Sequence, residues 1–123
     1  MSYKFGVSVC TLNQLSLDFD GNLKRILESI EKSQSLGATI RIGPELEVTG
    51  YGCEDAFYEM DTCFHSWQII AEILKKNYRN ILINVGMPVV FNSSNYNCYI
   101  VILNSKIVLI RPKTRLAING NYR

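Results

Sequence analysis

From Tyr3 to Cys10 the chain alternates, with Phe5, Val7 and Val9 on one side, which is the period of a strand with one face turned to a core. The segment Cys10-Thr11-Leu12-Asn13-Gln14 then turns polar. Asp18 and Asp20 offer N-cap oxygens to a helix running to about Leu36, in which Leu23, Ile26, Leu27 and Ile30 share a face. Gly37 stands at the usual C-terminal stop. Ala38 to Gly43 is a second short strand, and the order strand, helix, strand predicts parallel pairing through a right-handed crossover.

The polar loop from Gly43 to Gly52 leads to a short helical turn over Asp55 to Met60 and a firmer helix over Ser66 to Lys76, built on Trp67, Ile70, Ile73 and Leu74, with His65 at its start. Ile81 to Val90 is almost uninterrupted in its apolar character and reads as a third strand buried on both faces. After a turn-rich break at Asn92 to Asn97, two more strands, Cys98 to Leu103 and Ile107 to Ile110, flank the tight Asn104-Ser105-Lys106 turn. The whole is an α/β layer, helices on a mixed sheet, with polar loops collected at strand ends. The last residues supply no closing element, so a sheet edge and a sheet face are expected to lack cover and the isolated chain to associate or order incompletely.

With 123 residues, 47% of them hydrophobic, the chain has the size and core-forming capacity of one globular unit. Its formal charge of +2, from 13 basic and 11 acidic residues without dense runs, gives no footprint for nucleic acid or an anionic membrane. No apolar stretch approaches the roughly 18 residues of a membrane span, and the start lacks signal-peptide features. Cys10, Cys53, Cys63 and Cys98 form no C-x-x-C pair and have only His65 for company, which argues against zinc and for reduced thiols in the cytoplasm.

Two residues stand where chemistry is done, at strand ends. Glu45 follows Pro44 as the second strand surfaces, and partial desolvation in a cleft would suit such a carboxylate to accept a proton. The competing explanation is that Glu45 or Glu47 caps a loop or pairs with Arg41 on the surface. Lys113 follows the apolar run 107–110 and Arg111-Pro112; an ammonium there could stabilise an oxyanion, or simply be solvated beside Arg111 and Arg115. Gly50-Tyr51-Gly52 turns tightly and either presents Tyr51 to a ligand or packs it on the core. His65, without an accompanying Ser or Cys constellation, reads as a helix-start or surface histidine, and Cys53 as a small loop or core thiol.

Taken together, Thr11-Leu12-Asn13-Gln14, Leu17-Asp18-Phe19-Asp20-Gly21-Asn22, Gly43-Pro44-Glu45-Leu46-Glu47 through Tyr51-Gly52-Cys53, Gly86-Met87-Pro88-Val89, Tyr96-Asn97-Cys98 and Arg111-Pro112-Lys113 form a pattern running end to end. It resembles the start of the amidase (glutaminase) domain of eukaryotic-type glutamine-dependent NAD synthetases, in the nitrilase (carbon-nitrogen hydrolase) superfamily. That resemblance implies a four-layer αββα sandwich and a Glu-Lys-Cys triad, with Glu45 as general base and Lys113 as the oxyanion-stabilising ammonium. It also implies that Tyr51, and more weakly Tyr122, help to shape a glutamine pocket. The pattern's acidic residue near the tail is replaced here by Asn119.

On this resemblance residues 1–123 are the N-terminal part of one glutaminase domain. The nucleophilic cysteine would lie beyond Arg123, so the fragment alone is expected to be inactive. The implied chemistry is acyl transfer from glutamine, with ammonia passed to an ATP-dependent domain that makes NAD from nicotinic acid adenine dinucleotide. ATP and magnesium belong to that absent synthetase domain, so no cofactor and no metal are expected in this chain. Glutamine is the implied substrate partner and a homo-oligomer the implied assembly. A free-standing nitrilase-type amidase and a non-catalytic nitrilase-like module are the alternatives.

Overall fold

The computed structural model describes residues 2–117, which form the elements β1 (Val7–Val9), α1 (Phe19–Ser35), β2 (Ile40–Ile42), a 3-10 turn (Glu54–Tyr58), α2 (Met60–Lys75), β3 (Leu82–Phe91), β4 (Ser94–Leu103) and β5 (Lys106–Pro112). Among the described residues the strands make one five-stranded sheet in the order β1-β2-β3-β4-β5. The β1-β2 and β2-β3 pairs are parallel; β3-β4 and β4-β5 are antiparallel hairpins. The α/β class and the mixed sheet therefore stand as read.

Local chemistry explains the first helix. Asp18 caps α1, accepting from the Gly21 amide at 3.2 Å, and its other oxygen takes Arg25 at 3.0 Å. Gly37 follows the helix with φ of 79°, a left-handed conformation that glycine adopts without steric cost. Ile26 and Ile30 of α1 and Ile69, Ile70 and Ile73 of α2 pack on one face of the sheet against Ile83, Val85 and Met87, whose β4 partners are Ile102, Ile100 and Cys98. Each of these side chains removes enough apolar surface from water to contribute about 1.5–3 kcal/mol.

The opposite sheet face is thinly covered. Val7 and Val9 of β1 and Leu109 of β5 are all more than half exposed, and β5 is exposed along its length. A strand alternates its side chains between faces, so an apolar residue on both sides of β5 leaves one side open. No described helix is long and apolar enough to cross a membrane.

Three expectations need correction. The first strand spans Val7–Val9 rather than 3–10, because before it, among the described residues, only the Gly6 carbonyl meets β2 and its approach, accepting from the amides of Ile40 and Thr39. The second helix begins at Met60, so His65 lies inside it and not at its start. The supposed break at Asn92 to Asn97 is a two-residue turn followed at once by β4, with Asn92 and Ser93 at φ of 47° and 62°. Asn104 and Ser105 repeat that geometry between β4 and β5, at 49° and 61°. Two successive positive φ values give the turn whose twist matches an antiparallel hairpin.

Candidate active site

Glu45 sits on the segment leaving β2, and β3 fixes where that segment runs. The Gly43 amide donates to the Asn84 carbonyl at 3.2 Å and the Val48 amide to the Gly86 carbonyl at 3.0 Å. Between these bonds the chain arches over Gly86 so closely that a Cβ there would stand 2.6 Å from the Leu46 nitrogen and 2.7 Å from the Pro44 oxygen. Residues 45–49 turn, and Leu46 takes φ of 50°. Such a left-handed residue costs about 1–2 kcal/mol, a cost the surrounding bonds must offset. One of them runs from the Gly50 amide to the Leu46 carbonyl at 2.8 Å.

Beneath the turn, Glu47 points inward to Arg41 of β2. The guanidinium donates through Nη1 to Oε2 at 2.9 Å and through Nη2 to Oε1, and neither side chain has exposed surface. Arg41 further donates to the Asn84 carbonyl at 3.1 Å and to the Ser29 hydroxyl of α1 at 2.6 Å. Burial pushes the Glu47 carboxyl up, and the hydrogen bonds and charge of Arg41 oppose it. The pairing with Arg41 considered from sequence thus exists, but Glu47 makes it, in the interior. On the α1 side, Gln14 donates to the Glu47 carbonyl at 2.9 Å and the fully buried Asn22 to the Val48 carbonyl at 3.0 Å.

Lys113 arrives from the other direction, directly after β5. The β4-β5 register sets Cys98 opposite Pro112, and the Lys113 amide donates to the Asn97 carbonyl at 2.7 Å. Its Nζ donates to Glu45 Oε1 at 2.8 Å, across 68 positions of sequence. Asn97 Nδ2 donates to the same oxygen. The structure therefore brings Glu45 and Lys113 together. Their side chains are 32% and 38% exposed, open enough to meet a small molecule. They rim a hollow of about 290 Å³ whose wall includes Asn97, Tyr99 and Arg111. Burial pushes the Tyr99 phenol up, Glu45 and Glu47 add to the effect, and Lys113 opposes it.

Other sequence candidates lie elsewhere. Tyr51 follows Gly50 on the loop, about half exposed, and is not among the described residues lining the hollow. Tyr122 and Asn119 fall outside the described residues. His65 is exposed, with Nδ1 at 2.8 Å from Gln68 Oε1 and its ring 5.4 Å from that of Phe19. Cys53 is a buried loop thiol that receives a bond from the Ser16 hydroxyl at 3.3 Å.

All four cysteines are free. Cys98 lines the hollow, yet its side chain is buried in the core cluster, where burial, and then Cys63, pushes the thiol up. A thiol so placed stays protonated and is a poor nucleophile. Among the described residues, no group of three or more His, Cys, Asp or Glu could hold a metal ion.

Asn97 stands in the sequence pattern only as part of Tyr96-Asn97-Cys98, with no role of its own. A polar amide immediately before the apolar run from Cys98 to Leu103 was the available signal, and its place in a strand was what the break at 92–97 concealed.

Residues 6–123 match the family model for carbon-nitrogen hydrolase. The chain belongs to the carbon-nitrogen hydrolase family. A relative, the glutamine-dependent NAD(+) synthetase of Oryza sativa subsp. indica, is 54% identical over 95% of this chain and 16% of its own length. Among solved structures, a glutamine-dependent NAD(+) synthetase from Cytophaga hutchinsonii superposes with a TM-score of 0.88 and 29% identity, covering 93% of this chain and 20% of that one. An amidase from Nesterenkonia in the nitrilase superfamily superposes with a TM-score of 0.80 at 15% identity, over 95% of this chain and 45% of that one, which speaks to the fold alone. This carbon-nitrogen hydrolase chain thus spans about a sixth of the curated relative's length.

Proposed function

We propose that this chain supplies the acid-base half of a glutamine-hydrolysing site that feeds ammonia to NAD synthesis. The observation that carries the reading is the 2.8 Å contact between Lys113 Nζ and Glu45 Oε1 at a hollow, in a carbon-nitrogen hydrolase chain with synthetase relatives. Glu45 is the general base and Lys113 the ammonium that holds the oxyanion. The nucleophile is a cysteine contributed from outside this sequence, so the chain alone is inactive.

In the acylation step Glu45 takes the thiol proton, and sulfur bonds to the carboxamide carbon of glutamine. An oxyanion forms within reach of the Lys113 N-H groups not engaged by Glu45, since an ammonium carries three donors. Collapse breaks the C-N bond, and the proton held by Glu45 leaves with ammonia. Water, losing its proton to Glu45, then cleaves the thioester to glutamate and free thiol. On the family resemblance Tyr51, from outside the described wall of the hollow, and more weakly Tyr122 help to shape the wider glutamine pocket. ATP and magnesium serve a synthetase domain beyond this chain, and the assembly is a cytoplasmic homo-oligomer.

The test is ammonia release from glutamine by a hybrid synthetase in which residues 1–123 replace the matching segment of a relative. Glu45→Gln should lower kcat about 100-fold or more, and Lys113→Met comparably, as removal of a general base and of an oxyanion donor do. A hybrid that hydrolyses glutamine equally well with Glu45→Gln would overturn the reading.

A further inference from the structure

We propose that Asn97 is a positioning residue that sets the working geometry of Glu45 and Lys113 at once; the inference rests on the glutaminase reading of that pair. Two bonds from one residue carry it. The Asn97 side chain donates to Glu45 Oε1, while its backbone carbonyl accepts the Lys113 amide at 2.7 Å. The first holds the carboxylate and the second fixes where the chain leaves β5, so that Nζ falls back on the same oxygen at 2.8 Å. Asn97 can do both because it lies inside β4, opposite Pro88 of β3 and next to the Cys98-Pro112 pair of β5. Two paired neighbours hold its backbone on either side.

The consequence concerns the other carboxylate oxygen. Oε1 receives both the Asn97 amide and the Lys113 ammonium, whereas Oε2 has no hydrogen-bond partner among the described residues. A carboxylate with one end anchored by two donors does not exchange its oxygens by rotation, so Oε2 is the oxygen left to take the proton. A neutral amide also adds no charge of its own. The groups that face Glu45 electrostatically are Lys113 and Tyr99, with Arg111 lining the same hollow. Asn97 therefore orders the base without competing for its proton.

The first arm of the test uses the hybrid synthetase with its asparagines labelled with nitrogen-15. The Asn97 side-chain amide resonances, followed by two-dimensional NMR as pH is lowered, should move with the protonation of Glu45 and stop responding in Glu45→Gln. The second arm uses the same hybrid, in which Asn97→Ala should lower kcat about tenfold or more with little change in KM, because a misplaced base costs the transition state and not binding. Asn95→Ala, which removes a 3.0 Å bond from the same strand to the Phe57 carbonyl, should leave kcat unchanged and so controls for damage to β4. Amide resonances indifferent to Glu45, or a loss confined to KM or shared by Asn95→Ala, would overturn the proposal. Failure of the glutaminase reading would show separately, as activity that survives Glu45→Gln while the resonances still respond.

Discussion

Arg41 and Glu47 meet through two hydrogen bonds with no exposed surface on either side chain, directly beneath the turn that carries Glu45. A charged pair in the interior is itself weak support for stability, since desolvation offsets most of its attraction. Its value here is geometric. It ties β2 to the Glu45 turn, and the Ser29 bond ties both to α1.

Removing one partner should expose the cost of leaving the other. Glu47→Gln is expected to lower unfolding free energy in urea by about 3 kcal/mol, because a buried guanidinium loses its counter-charge. The double change Arg41→Met with Glu47→Leu should recover most of that loss. Equal midpoints for the wild type and Glu47→Gln would show the pair to be energetically idle.

Gly86 tests the arch itself. A methyl group there would press on Leu46 and Pro44 backbone atoms at 2.6 and 2.7 Å, and backbone cannot rotate away as a side chain can. Gly86→Ala should therefore cost about 1–3 kcal/mol by overpacking and separate Glu45 from Lys113. Structure determination of the variant checks this; an unmoved turn would mean that the arch is not braced on β3.

Much of this frame was legible in the sequence because local signals agreed with the tertiary outcome. Asp18 caps α1 as its side-chain type suggests, and Ile26 and Ile30 bury the face that their spacing defines. The start of α2 was not legible, since its first turns bury Thr62, Cys63 and Ser66 in place of an apolar stripe; Thr62 satisfies its hydroxyl on the Ala56 carbonyl and Ser66 on that of Thr62. The start of β4 was hidden for a related reason. Ser94, Asn95 and Asn97 have low strand propensity, and their pairing with Phe91, Val90 and Pro88 decides the matter instead. With β4 unread, the place of Asn97 beside Glu45 could not be read either. That Glu45 and Lys113 occupy strand ends was visible; that they touch depends on the register of two hairpins.

The thiols offer an independent check on the site. Cys10 is half-buried, whereas Cys53, Cys63 and Cys98 are buried. A disulfide reagent in excess should label Cys10 quickly in the native protein and the other three only on unfolding. Rapid native labelling of Cys98 would reveal a reactive thiol at the hollow and contradict its assignment to the core.

Acid should loosen the start of α1. The hydrogen bond from Arg25, and after it that from the Gly21 amide, hold the Asp18 carboxyl below its ordinary value. A lowered carboxyl contributes stability that is present above its unfolded value of 3.8 and is lost as pH falls through the folded one. Asp18→Asn keeps a capping oxygen but has no proton to gain, so its unfolding midpoint should fall less on acidification than that of the wild type. Parallel pH profiles would show that the Asp18 charge does not matter.

The claim on which the functional account turns is that Glu45 and Lys113 act as one pair, and zero-length carbodiimide cross-linking of the native chain followed by peptide mass spectrometry tests it most directly. The account predicts an amide joining Glu45 to Lys113 with loss of one water, absent in Glu45→Gln, alongside the exposed Glu72-Lys75 pair at 2.5 Å as an internal standard. Recovery of the Glu72-Lys75 product without any Glu45-Lys113 product would contradict it.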